Sequence, residues 1–176
     1  ILLFVFLRIP SIFEGFWYPD EGFYGAQAEA ILRGKELYID AWDHKPPLMV
    51  WIYMIGGFFG WDSGYPLVKL FSLIAGIYTI TILRRILIEE KIKSKIQTGL
   101  LIAGVLLLAT PVLEGNLANS ENFFIPITIS ILYLSLYRKS ARLVGFLLSL
   151  TFLIKPQAFI ECFAIISLVG IYDLWK

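Results

Sequence analysis

The run Leu48-Met-Val-Trp-Ile-Tyr-Met-Ile-Gly-Gly-Phe-Phe-Gly60 is apolar throughout yet only 13 residues long. A bilayer crossing needs about 20. The run opens after Pro46-Pro47, a good helix start, and stops at Gly60. Trp51, Tyr53, Phe58, Phe59 and Trp61 suit a membrane interface better than its hydrocarbon centre. Read as an interfacial helix, the run is no crossing. Alternation of the later apolar segments then sets Arg84, Arg85, Lys91, Lys93, Lys95, Arg138, Lys139, Arg142 and Lys176 on one side. Read as a span, it disturbs only what precedes it and moves Asp20–Lys45 to that basic side. The positive-inside rule makes the basic side cytoplasmic. The stretch Glu14–Lys45, with seven acids against three bases, suits the outside. The interfacial reading is adopted.

Composition agrees with a membrane chain. It is 58% hydrophobic with a mean hydropathy of +0.75, against roughly 45–50% apolar residues in soluble domains. A net charge of +1 leaves no nucleic-acid footprint. Cys162 stands alone in an apolar stretch, so neither an intrachain disulfide nor a cysteine metal cluster is expected. Spans are predicted over Tyr65–Leu83, Ile96–Leu113, Asn122–Tyr137, Leu143–Ile154 and Ala158–Trp175, after a short apolar opening, Ile1–Phe13. The expected fold is all-α: a polytopic transmembrane bundle in the plasma (inner) membrane. Its large extracytoplasmic first loop, about 14–64, carries interfacial helices. An opening at Ile1 rather than Met reads as a cut inside the first span of a longer protein.

The first loop holds a polar island, Tyr18-Pro-Asp-Glu-Gly-Phe-Tyr and Trp42-Asp-His-Lys-Pro-Pro-Leu48, between apolar segments. Charge among membrane spans is costly, roughly 2.5–3.5 kcal/mol per ionised residue at mid-bilayer. The island therefore reads as a site. Within it, Pro19-Asp20 before Glu21–Arg33 and Gly34 predicts a helix with Asp20 as N-cap and a C-terminal glycine. Phe23, Ala26, Ala30 and Ile31 form its apolar stripe, and Glu29 pairs with Arg33 at i,i+4. A capping carboxylate stays ionised at a helix N-terminus, so cap and proton acceptor are compatible roles for Asp20.

Lys45 before two prolines has its backbone held extended. Its ammonium is either a snorkelling interfacial anchor or a contact for an anionic headgroup. Lys155, at the Pro156 break, repeats the pattern. His44 with Asp43 or Glu21 offers imidazole and carboxylate to zinc or manganese, though a hydrogen-bonded interfacial histidine accounts for it better. Glu114 and Glu121 flank Asn116, Asn119 and Ser120 in a segment too polar for a buried turn. Glu161 and Cys162 read as packing residues. With the interfacial reading, loops Tyr18–Lys45, Leu113–Glu121 and the Lys155-Pro156 break all emerge opposite the basic loops. Such convergence around one cavity is what an enzyme needs.

Four motifs follow in order: Pro19-Asp-Glu with Tyr24 downstream, Asp43-His-Lys-Pro-Pro-Leu, Asn119-Ser-Glu-Asn-Phe-Phe, and Phe152-Leu-Ile-Lys-Pro. In this order the chain resembles the GT-C membrane glycosyltransferases that use a polyprenyl-phosphate sugar, closest to the protein O-mannosyltransferase and aminoarabinose-transferase superfamily. The resemblance implies that Asp20 and Glu21 form the catalytic acidic pair, Asp20 engaging the acceptor nucleophile. It implies that Lys45, and Lys155 with it, meets the donor phosphate. Tyr24, Asp43, His44 and Glu121 then bind substrate. His44 stands where aminoarabinose transferases have glutamate, so a divalent metal has no support here and no cofactor is assigned. The implied partners are a polyprenyl-phosphate sugar donor, an extracytoplasmic acceptor and the bilayer. On this reading residues 1–176 are the N-terminal part of one transmembrane domain. Its later spans and any C-terminal domain are missing.

The residue types fit the chemistry. Polyprenyl phosphate is a good leaving group, so inverting displacement needs its departing charge held, by Lys45 and Lys155 or Arg33, and a base such as Asp20. The neighbouring carboxylates of Asp20 and Glu21 point apart, unlike a glycosidase pair. The competing class is a non-catalytic transporter or assembly subunit with an outer docking loop. It would place ionisable groups at mid-span, where Tyr65–Leu83, Ile96–Leu113 and Asn122–Tyr137 hold only Lys69, near one end of the first.

Overall fold

The computed structural model describes the backbone of residues 1–175 and the side chains of all of these except 61–64. Lys176 and the side chain of Trp61, both used in the topology argument, lie outside the described residues. Helix α1 (Leu2–Arg8) runs into a 3-10 turn, Ile9–Phe13. Then come α2 (Pro19–Leu32), α3 (Leu48–Gly57), α4 (Trp61–Glu89), α5 (Ser94–Ala109), α6 (Ser120–Tyr133), α7 (Ala141–Ile154) and α8 (Pro156–Trp175). Among the described residues there is no strand, and one isolated bridge joins Leu37 to Ala41.

Two helical stretches are long and apolar enough to cross a membrane: the 25 residues Tyr65–Glu89 of α4 and the 20 residues of α8. They coincide with two of the five expected spans. The other three fall on α-helices of 14 to 16 residues, each ended by an identifiable break. Pro111 follows the end of α5, which Thr110 closes in extended backbone. A π turn over Leu134–Arg138 follows α6, and Lys139 leaves it with a left-handed φ of 49°. Pro156, lacking an N–H, separates α7 from α8 with Lys155 extended between them.

The decisive run does form one short helix. At 10 residues and 1.5 Å per residue, α3 is about 15 Å long, half of a hydrocarbon core. Pro47 caps its start, and Gly60, with φ +76°, turns the chain into α4. The α3 helix packs on α2 and α4, burying Met49, Val50 and Tyr53 while Trp51 and Ile55 stay exposed.

The α2 helix departs from its expected form in two ways. Pro19 occupies the first helical position, and the extended Tyr18 is the N-cap without a side-chain bond. Proline fits there because that N–H is unpaired in any helix. Asp20 therefore lies one position inside the helix and is not its cap. The buried face is also rotated from the expected stripe: Glu21, Tyr24, Gly25, Gln27 and Ala28 are inside, while Phe23 and Ala26 are outside. Polar residues can line this face because each has a partner, Gln27 donating to Trp42 O at 3.0 Å and Glu21 binding Lys69. The C-terminal end matches expectation, with Gly34 at φ +86° and Arg33 2.5 Å from Glu29.

One core joins Tyr24 and Ala28 of α2, Met49, Val50 and Tyr53 of α3, Val68 of α4, Phe124 of α6 and the α7–α8 junction at Ile154 and Ala158. A second packs Phe4 of α1 against Leu73, Ile80, Val105 and Ala109. Phe4 sits so close to Gly76 that a β-carbon there would lie 2.3 Å from its ring. The first core supports the site.

A cationic cleft as candidate functional site

Four segments distant in sequence meet at a cleft of ≈ 150 Å³. Tyr24 comes from α2, His44, Lys45 and Pro46 from the segment before α3, and Ser120 from the start of α6. Ile154, Lys155, Pro156 and Gln157 come from the α7–α8 junction. Both cations singled out in the sequence thus line one small space.

Lys45 is fixed from both sides of its backbone. Its N–H donates to Asp43 Oδ1 at 2.9 Å, and its carbonyl accepts from the Tyr38 hydroxyl at 2.9 Å. Pro46 and Pro47 then stiffen the entry into α3. The Lys45 ammonium donates to Asp20 Oδ2 at 3.0 Å and to the Tyr24 hydroxyl at 3.1 Å, and lies 4.8 Å from the Tyr24 ring centre. An ammonium has three N–H donors, so one remains for a ligand. Burial works against the charge, but the bonds to Tyr24 and Asp20 outweigh it and raise Lys45 above the ordinary lysine value. Burial likewise raises the Tyr24 hydroxyl, with Lys45 pulling the other way, so Tyr24 stays protonated near neutral pH.

On the opposite wall Lys155 bonds to Glu121, whose second oxygen accepts from Ser120 Oγ at 3.0 Å. In both cleft pairs the side chains keep part of their solvent contact: 24% and 43% for Lys45 and Asp20, 36% and 41% for Lys155 and Glu121. Pairs so exposed are worth about 0–1 kcal/mol. An incoming anion can displace either carboxylate at little cost.

Glu21 is placed differently. Its side chain and that of Lys69 are both 0% exposed, with Oε1 2.6 Å from the Lys69 ammonium. The same oxygen accepts the Ala118 N–H at 2.6 Å. Glu21 does not line the cleft. Asp43 is also inside, its side chain 0% exposed and its Oδ1 3.5 Å from Nδ1 of the open His44. Its bond to the Lys45 N–H makes it a turn-former. Arg33 is engaged with Glu29 on the exposed face of α2 and does not reach the cleft. Glu114 accepts from Tyr18 at 2.8 Å and from Asn119 at 3.1 Å, tying the first loop to the 114–119 segment. Glu161 is exposed on α8, and Cys162 is buried beside Thr128. Among the described residues no group of three or more histidine, cysteine or acidic side chains is arranged to hold a metal.

At the other end of the helices, Tyr137 donates to Glu90 and Lys139 pairs with Asp173. The C-terminal ends of α4 and α8 and the turn after α6 therefore meet away from the cleft.

Sequence reasoning missed Ser120, Gln157 and Lys69. A lone lysine inside an apolar helix demands an acid partner, and that was the available signal for Lys69. Ser120 and Gln157 adjoin Glu121 and Lys155 but carry no charge to mark them. Comparison with protein-family models, curated proteins and solved structures returns no match.

Proposed function

We propose that the chain belongs to a multi-pass membrane glycosyltransferase with this cleft on its extracytoplasmic face. It moves a sugar from a polyprenyl-phosphate donor to an acceptor hydroxyl. The observation that carries the reading is the convergence of Lys45 and Lys155 on one cleft, with Asp20 3.0 Å from the Lys45 ammonium. The two cations suit a phosphate, and the weakly paired Asp20 suits a base beside it.

The step is a single displacement. The acceptor oxygen bonds to the anomeric carbon as the bond from that carbon to the phosphate oxygen breaks. The electron pair leaves on the polyprenyl phosphate, where Lys45 and Lys155 hold the growing charge. The acceptor proton passes to Asp20, and the anomeric centre inverts. Tyr24 donates no charge but fixes the Lys45 ammonium. His44 and Gln157 lie at the rim, where sugar hydroxyls would be met.

Binding of undecaprenyl monophosphate to the chain in lipid nanodiscs tests this. Lys45→Ala is expected to weaken binding about tenfold or more, and Lys45→Arg to keep part of it, since a guanidinium still presents donors to a phosphate. Unchanged affinity in the alanine variant would reduce Lys45 to an interfacial anchor.

A further inference from the structure

The segment between α5 and α6 opens with a 3-10 turn, Pro111–Leu113, and beyond it the main chain is held at successive peptide groups by side chains of α2, α3 and α4, besides Asn122 of α6, which donates to Leu117 O at 2.9 Å. Lys69 of α4 reaches Asn116 O at 3.5 Å. Ser72 of α4 donates to Leu117 O at 2.9 Å, and Tyr53 of α3 donates to Ala118 O at 2.9 Å. Glu21 of α2 accepts the Ala118 N–H at 2.6 Å. Glu21 and Lys69, fully buried and 2.6 Å apart, are the charged centre of this grip. Two residues further on, Ser120 lines the cleft and Glu121 holds Lys155.

We infer that Glu21 and Lys69 are positioning residues: together they clamp the 116–118 backbone and so set where Ser120 meets the ligand and where Glu121 holds Lys155. This rests on the donor reading above for what the ligand is, and on the geometry alone for the clamp. It separates the two members of the Asp20-Glu21 pair. Asp20 faces the cleft cation, and Glu21 acts only through the segment it holds. The pair does not exchange with solvent or ligand, because a lone charge left in that interior would be strongly disfavoured.

The test compares wild type, Lys69→Met and the double variant Glu21→Gln/Lys69→Met in nanodiscs. Lys69→Met removes the one cation in contact with the Glu21 carboxylate, leaving only the more distant buried Arg8 to offset it, and the clamp should open. Hydrogen exchange in residues 114–120 is expected to rise about tenfold, with α5 and α8 unchanged. The double variant removes both charges while a glutamine oxygen can still accept the Ala118 N–H. Its exchange should return to within about threefold of wild type, which general loss of packing would not allow. Affinity for undecaprenyl monophosphate should follow the same order, about tenfold weaker in Lys69→Met and restored in the double variant. Unchanged exchange in Lys69→Met overturns the clamp. Faster exchange with undiminished lipid affinity overturns its role in positioning. A wild-type chain that binds no undecaprenyl monophosphate sinks the donor reading, and the exchange comparison then decides the clamp by itself.

Discussion

Asp20 and Glu21 are neighbours in the chain, but their carboxylates serve different lysines: Asp20 lies 3.0 Å from Lys45 at the open cleft, and Glu21 lies 2.6 Å from Lys69 in the interior. Successive residues on a helix point about 100° apart. One turn of α2 thus presents one acid to the cleft lysine and another to the protein's own interior and backbone.

Asp20 is where chemistry and structure separate most cleanly. Replacement by Asn keeps an oxygen that can accept from Lys45 but removes the proton acceptor. Asp20→Asn in the full-length protein should fold and insert normally while sugar transfer from a polyprenyl-phosphate donor falls about 10²–10⁴-fold. Near-normal turnover would move the base to another acid, with Glu121 the first to examine.

The charge on Lys45 sets a pH window. Its folded-state value lies above the ordinary 10.5, so its contribution is complete below that value and is lost as pH climbs through the higher one. Undecaprenyl-monophosphate affinity should stay flat from about pH 7 to about pH 10 and fall beyond. A loss centred near pH 8 would point to a different group.

Gly115 tests the path of the clamped segment. A β-carbon there would lie 2.8 Å from both C and O of Leu108, which are backbone atoms and cannot swing aside. Overpacking of this kind costs about 1–3 kcal/mol. Gly115→Ala should lower the thermal midpoint and the recovery of folded protein in detergent, whereas Gly99→Ala, with open space around it, should not.

Orientation is tested by thiol labelling in whole cells. Ile39 is 76% exposed in the first loop, and a cysteine there should react with a membrane-impermeant reagent. A cysteine at Lys93, in the turn between α4 and α5, should react only after permeabilisation. The reverse pattern would place the cleft in the cytoplasm.

Helix positions were legible in the sequence because apolar runs, prolines and glycines act locally. The short α3, the Gly34 end of α2 and the break at Pro156 all arise from such signals. The pairing of Lys45 with Lys155 across one cleft was foreshadowed only by the expectation that their loops emerge on one side. The features that stayed hidden depend on partners far along the chain. The buried face of α2 cannot be read from its apolar residues, because Glu21 is buried only on account of Lys69, 48 positions later. Arg8, buried at 1% and donating to Ser72 at 2.8 Å, is hidden for the same reason. Asp20 misled because an acid near a helix start is usually a cap, and with Pro19 as the first helical residue the cap falls two residues earlier, at Tyr18.

The grip on residues 116–118 has a consequence for the order in which the molecule forms. Helices can begin from their own hydrogen bonds, but this segment owns almost none. Asn122 of the adjoining α6 donates to Leu117 O, but the other donors, Tyr53, Lys69 and Ser72, are brought together only by the docking of α3 on α4. Its one carboxylate-bound amide waits for α2 as well. The cleft wall at Ser120 therefore depends on the docking of α2, α3 and α4, and a chain that forms its helices without docking them has every element of the fold and no cleft.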